Sequence, residues 1–220
     1  MARSRPAVII SAAMSADGKI ATRSGDSKIS SKRDLARMHR LRSQADAVLI
    51  GSNTLRRDDP LLTVRHAKGK NPTRIILDSR GTIPSGSKIM RTAGQIPTIV
   101  AVSRSVSRKN LKRLEKLPVD VIVSGEKQVN VRQLLGKLAA RNIRTVLVEG
   151  GGTVNWNLVK NGLFDRLVVT VSPKIIGGAD AVSLVQGSGF ARVKDSAKLR
   201  LEKTKRIGDE LVLCYSKSAG

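Results

Sequence analysis

Two acidic sites in this chain stand at the ends of strand-like runs, where a carboxylate can reach a ligand. In TVLVEGGGTVNWNLV, residues 145–159, Glu149 follows four strand-forming residues and precedes Gly150, Gly151, Gly152 and Thr153. In VLIGSNTLRRDDPLLTVR, residues 48–65, Asp58 and Asp59 precede Pro60. A carboxylate can accept a substrate's hydrogen bonds, steady a cation or move a proton. Glycines admit positive φ and close backbone approach. A helix start adds unpaired N–H groups and partial positive charge, so strand, glycines and helix together can hold a phosphate. A plain strand-to-helix turn is the other reading, and the stretch alone leaves both open. It is neither G-x-G-x-x-G nor a Walker loop. Thr54 and Asp58, four apart, share one face of a short helix. Asp59-Pro60 also reads as a turn initiator.

Further polar groups lie between these acids and the N-terminus. In RDLARMHRLRSQADAVLIG, residues 33–51, Leu35 and Met38 form an apolar stripe whose margin is Arg42. Arg42 is either a snorkelling side chain or a phosphate or carboxylate clamp. His39 reads as a half-buried structural group, and His66 as a solvated one. MSADGKIATRSGDSKISS, residues 14–31, is rich in small polar residues, with a turn at Asp17-Gly18. It is either a substrate loop or a surface loop, and Ser30 or Ser31 caps the helix that follows. Two scattered His and one Cys supply no metal cluster, and no nucleophile elbow is present to support a His-based triad.

The elements that must position these groups are mostly continuous β-branched runs. They fall at 7–13, 47–51, 74–78, 98–102, 119–123, 145–148, 167–172 and 210–215. Continuity rather than alternation predicts strands covered on both faces, as in a parallel sheet. VRQLLGKLAARN places Val131, Leu134, Leu135 and Leu138 on one helical stripe, and Leu111 and Leu114 form another. The order is βαβα, ending in strands without long helices. This predicts an α/β fold, mostly parallel, with an antiparallel C-terminal edge. We expect one domain over residues 1–220, with a core of about 6–215. Polar clusters follow the carboxyl ends of four of these strands, where open α/β sheets bind ligands, and together they predict one cleft.

The net charge of +24, from 41 Lys+Arg and 17 Asp+Glu, raises the question of a polyanion partner. The basic residues are spread along the chain and aromatics are only 2%, so no stacking platform for single strands is available. We expect no specific nucleic acid and no membrane, since no apolar run approaches the roughly 18 residues of a span. The N-terminal apolar run is broken at once by Asp17 and Lys19, which reads as strand and turn rather than leader. The lone Cys214 fits a cytoplasmic location.

Taken in order, MSADGKIA, GDSKIS, LRSQADAVLIGSNTLRRDDPLLTVR, RIILDSR and LVEGGGTVNWNLVKNGLFDRLVVTVSPKIIGG, with a closing strand pair, resemble the reductase family of riboflavin biosynthesis. That family has a dihydrofolate-reductase-like fold, and the likeness is greatest to its stand-alone archaeal members. The resemblance spans roughly residues 6–215. It implies that NADPH delivers hydride to C1′ of a ribosylamino sugar on a pyrimidinone 5′-phosphate, giving a ribitylamino chain, in a homodimer. By resemblance, Ala13, Ile29, Thr54 and Asp58 match the nicotinamide side. Leu77, Asp78, Ser79 and Arg80 match the cofactor region, the last two near the adenosine 2′-phosphate. Gly150, Gly151, Gly152 and Thr153 match cofactor-binding positions, with Gly151 to Asn157 along the cofactor's phosphates. Ser27, Arg42, Leu62, Arg65 and Glu149 match positions around the substrate, and Asp58 and Glu149 are the expected catalytic pair. Ile29 stands where bacterial relatives often carry Trp. The H-x-E and P-C-x-x-C of a fused zinc deaminase are missing. Archaeal likeness favours the diamino compound as substrate. The rivals are another reductase of this fold and a basic nucleic-acid-binding protein.

Overall fold

The computed structural model describes residues 4–218. In chain order the elements are β1 (Ala7–Ser15), β2 (Lys19–Ala21), α1 (Lys32–Gln44), β3 (Ala47–Gly51), α2 (Ser52–Asp58) and β4 (Thr73–Leu77). There follow α3 (Lys88–Arg91), β5 (Thr98–Val102), α4 (Arg108–Glu115), β6 (Asp120–Val123), α5 (Val131–Ala139) and β7 (Thr145–Val148). The last are α6 (Gly152–Lys160), β8 (Arg166–Ser172), β9 (Val182–Ser183), β10 (Leu199–Ile207) and β11 (Glu210–Lys217). The chain divides into two compact units. Among the described residues, one holds residues 4–7 together with His39–Leu147, and the other holds Val8–Met38 and residues 148–218. The fold is the expected α/β class, mostly parallel with antiparallel C-terminal strands.

In the first unit β3, β4, β5 and β6 pair in parallel, with Ile50 opposite Ile76 and Ile76 opposite Val100. Every residue of β3 and β5 is buried, which is why those runs are continuously apolar. Both predicted helical stripes are present. Val131, Leu134, Leu135 and Leu138 of α5 are all buried, and Leu114 of α4 is fully so. Side-chain caps start these helices: Ser107 Oγ accepts from the Asn110 N–H, and Asn130 Oδ1 from the Gln133 N–H. Parallel pairing puts the carboxyl ends of β3 to β6 on one edge, so the loops that follow them are neighbours there.

Arg74 on β4 is fully buried in this unit. Its guanidinium donates to Thr98 Oγ1 at 2.7 and 3.0 Å, to Thr92 Oγ1 at 2.8 Å and to the carbonyls of Ile89, Ile96 and Leu61 at 3.0, 3.3 and 3.4 Å. All these acceptors are neutral, and burial lowers its pKa to about 10.

In the second unit β1 and β8 are parallel, β11 is antiparallel to β8, and β10 is antiparallel to β11. The short β2 and β9 form a separate antiparallel pair. All of β10 except Ile207 is exposed, and its sequence LRLEKTKRI is charged along its length, so no apolar run announces it. Ser31 caps α1: its Oγ accepts from the Asp34 N–H and donates to Glu210, whose other oxygen takes the Ser31 N–H. Asp17 fastens the loop after β8. Its carboxylate accepts from Ser15 Oγ and from the N–H groups of Ile176 and Gly177, which together hold its pKa down to about 2.

The expected apolar stripe of α1 is corrected by the structure. Leu35 is exposed and Met38 only half-buried, whereas Asp34, His39 and Arg42 are buried. Polar residues can take the inner face because their hydrogen bonds are supplied there. Asp34 Oδ1 accepts from Thr170 Oγ1 at 2.6 Å and from Arg37 Nε at 2.7 Å.

Candidate active site

In the first unit, Thr54 and Asp58 lie on the seven-residue α2, as their spacing predicted. The two adjacent acids have different fates. Asp59 closes the helix in the left-handed conformation, φ 36° and ψ 55°, giving its N–H to the Leu55 carbonyl. Its carboxylate accepts from the Lys88 N–H at 2.8 Å, so Asp59 is structural. Asp58 does not cap the turn. Its carboxylate has Arg57 Nε at 3.5 Å as its ion-pair partner, and its side chain is 27% exposed. Partial burial raises its pKa above the ordinary carboxylate value, against the weaker lowering effect of Arg57.

The loop after α2 is tied to α1 through two of the predicted substrate positions. Arg42 Nη1 donates to the Thr63 carbonyl at 2.9 Å, and the Arg65 N–H donates to His39 Nδ1 at 3.0 Å. Arg42 is therefore no snorkelling side chain at a margin; it is buried, with its head group inside. Leu62 turns its side chain into the core, 1% exposed, with φ 54°. The Arg65 side chain is exposed beside this loop.

The turn after β4 carries Asp78, Ser79 and Arg80 beyond Leu77. Asp78 is buried, and its Oδ2 accepts from the Ile83 N–H at 2.7 Å. The Gly81 N–H returns to the Asp78 carbonyl, and Gly81 sits at φ +63°. Ser79 Oγ accepts from the Val129 N–H, and the Ser79 carbonyl accepts from both the N–H and Oγ of Ser103. Ser103 and Ser105 hydroxyls also reach the Lys127 carbonyl, joining the loops after β4, β5 and β6. The Arg80 side chain is exposed on this frame. Ser103 and Ser105 escaped the sequence reading because a lone Ser after a strand carries no motif; only the parallel order makes the three loops neighbours.

In the second unit, the glycine run has specific backbone causes. Gly150 has φ +96°, which only glycine adopts readily. Gly152 opens α6 where a Cβ would lie 2.6 Å from the Ser183 carbonyl oxygen. Gly151 occupies the cap position, and no side chain caps α6. The first N–H groups of that helix are thus left to a ligand or solvent, with Thr153 exposed among them. Glu149 is half-buried just before the run. Ala13 is half-buried on β1 opposite Thr170, Ser27 is exposed, and Ile29 is buried at 3% exposure. So Thr54, Asp58, Leu62, Arg65, Arg42 and Leu77–Arg80 belong to the first unit. Ala13, Ser27, Ile29 and Glu149–Thr153 belong to the second.

Among the described residues no His, Cys, Asp and Glu cluster could hold a metal ion, and no helix is long and apolar enough to cross a membrane.

The chain has known counterparts. The chain is 38% identical over 215 residues to the 2,5-diamino-6-ribosylamino-4(3H)-pyrimidinone 5′-phosphate reductase of Methanothermobacter thermautotrophicus, covering 96% of this chain and 98% of that one. It superposes with a TM-score of 0.80 and 26% identity on a deaminase/5-amino-6-(5-phosphoribosylamino)uracil reductase from Thermotoga maritima, over 97% of this chain and 57% of that chain. A dihydrofolate reductase from Enterococcus faecalis, 12% identical with a TM-score of 0.57 over 97% of each chain, shares the fold. The model of the RibD C-terminal domain matches residues 6–213, and the chain belongs to that family of dihydrofolate-reductase-like reductases.

Proposed function

We propose that this chain is the NADPH-dependent reductase that converts the ribosylamino group of 2,5-diamino-6-(ribosylamino)-4(3H)-pyrimidinone 5′-phosphate to the ribitylamino form. Residues 1–220 act as one cytoplasmic reductase domain. The observation that carries this reading is the match along nearly the whole chain to a stand-alone reductase of that name. The residues fit the cofactor. The uncapped start of α6, with Gly150, Gly151, Gly152 and Thr153, suits a diphosphate. Arg80, exposed on a fixed turn beside Ser79, suits the 2′-phosphate that distinguishes NADPH from NADH. By resemblance, Ala13, Ile29, Thr54 and Asp58 match positions on the nicotinamide side, and Leu77 and Asp78 match positions in the cofactor region.

NADPH supplies the hydride that reduces C1′ of the opened sugar. The protein must bind the phosphate, orient the imine and stabilise its positive charge. By resemblance, Ser27, Arg42, Leu62 and Arg65 match positions around the phosphorylated substrate, where an arginine can hold a phosphate by charge-assisted bonds. Glu149 accepts hydrogen bonds from it. A carboxylate near the protonated imine lowers its energy, and Asp58, whose pKa is raised, relays a proton as the sugar ring opens.

The enzyme works as a homodimer. Support comes from the apolar side chains left exposed on the β10–β11 hairpin, Leu199, Leu201 and Leu211, with Leu201 opposite Tyr215.

The test follows NADPH absorbance with the diamino pyrimidine and, separately, with its deaminated counterpart. Oxidation with the diamino compound supports the proposal; oxidation with neither ends it. Arg80→Ala should narrow the NADPH over NADH preference by about 1–3 kcal/mol, the scale of a charge-assisted bond. Unchanged discrimination would assign the 2′-phosphate to another residue.

A further inference from the structure

We infer that Asn110 on α4 is a specificity-positioning residue, which sets the NADPH preference by holding the backbone from which Arg80 projects. The inference rests on the reading of Arg80 as the 2′-phosphate partner, and the experiment below separates the two.

Arg80 sits in a turn whose backbone is held at every carbonyl. Ser103 takes the Ser79 carbonyl, with its N–H at 3.0 Å and its Oγ at 2.9 Å. Asn110 Nδ2 donates to the Arg80 carbonyl at 2.8 Å. Arg113, one helical turn on, donates to the Gly81 carbonyl and to Ser85 Oγ. Gly81 is pressed against the same helix and the segment just before it, since a Cβ there would lie 3.1 Å from both Leu114 Cδ1 on α4 and Val106 Cγ2 ahead of its cap. The turn thus has little room to shift.

Asn110 is itself fixed. Its N–H is taken by Ser107 Oγ, the α4 cap. The chain of support therefore runs from the cap, through the Asn110 amide, to the Arg80 carbonyl. Only the Arg80 side chain is left to face solvent or a ligand. A guanidinium reads a phosphate by bonds that need its plane and position set. Without the tether, the Arg80 backbone gains freedom, and ordering it again on binding costs affinity. That cost falls only on a ligand that uses Arg80. NADH lacks the 2′-phosphate, so its binding is blind to the tether.

Asn110→Leu keeps the side chain's approximate shape and removes the donor, and Asn110→Ser is a second, smaller replacement should the first fail to fold. Dissociation constants for NADPH and NADH are measured by titration for each, for Arg80→Ala and for the double variant. The expected result is an NADPH affinity lower by about 3–10-fold, the scale of one net hydrogen bond, with NADH affinity unchanged. In the Arg80→Ala background the same replacement should cost nothing further, because coupled residues are non-additive. Equal weakening toward both nucleotides, a loss that persists without Arg80, or no loss at all would overturn the role of Asn110 while leaving that of Arg80 intact. If Arg80→Ala alone keeps full discrimination, the Arg80 reading falls first and this inference with it.

Discussion

Asp58 and Asp59 show how one peptide bond separates structure from chemistry. Asp59 has spent its carboxylate on the Lys88 N–H and its backbone on the left-handed cap, whereas Asp58 keeps a carboxyl whose pKa burial has raised. Asp58→Asn should lower kcat by at least about 10²-fold, within the range for a general acid–base group. The stability change should have the opposite sign. With its folded pKa raised, Asp58 loses its proton first in the unfolded chain as pH climbs, so it erodes stability from the ordinary carboxylate value up to the raised one. At neutral pH the asparagine variant should therefore unfold at the same temperature or higher. Its pH–rate profile should lack a limb that the wild type shows above the ordinary carboxylate range. A variant within a few-fold of wild-type kcat would remove Asp58 from the mechanism.

At the scale of elements, glycines of the same type have opposite meanings. Gly152 begins α6 against the Ser183 carbonyl, whereas Gly136 in α5 has nothing within 4 Å of where a Cβ would stand. Gly152→Ala should destabilise by about 1–3 kcal/mol, the usual range for overpacking, and weaken NADPH binding. Gly136→Ala should stabilise by about 0.5–1 kcal/mol, as for glycine replaced inside a helix. Denaturant titrations of the two variants test the contrast. Such differences mark where the sequence was legible. Buried parallel strands announce themselves by continuous β-branched runs, and α5 by its four-residue stripe. β10 does not, because an exposed edge strand needs no apolar face. Nor does α1, whose inner face is Asp34, His39 and Arg42 in place of the Leu35 stripe. A buried polar residue is invisible to hydropathy until its partner is known, and the partners, Thr170 and the Thr63 carbonyl among them, lie far along the chain. The acids and the glycine run stood out because they interrupt the continuous apolar runs that precede them, which marks where each strand stops. The serines that join the loops after β4, β5 and β6 were not, since their meaning arises only from the strand order.

Over the whole molecule, the +24 charge finds a use in the proposed reaction, whose ligands are both anionic. The excess sits mostly in the unit that carries Arg42, Arg65 and Arg80. Such a field raises encounter rates and is screened within a Debye length of about 10 Å at 0.1 M salt. Raising ionic strength should therefore lower kcat/KM steeply while kcat at saturation changes little. Stopped-flow association rates against salt check this, and a flat profile would assign the charge no part in capture. The buried Arg74 has a different consequence, one of chemical rescue. Its guanidinium fills a pocket of neutral oxygens from Leu61, Ile89, Ile96, Thr92 and Thr98. In Arg74→Ala those oxygens remain and face a void of guanidinium shape. Free guanidinium, at millimolar levels far below those that unfold proteins, should occupy it and raise the variant's Tm by mass action. The wild type should respond only with the usual small fall. For one variant of this chain, a denaturant would become a ligand.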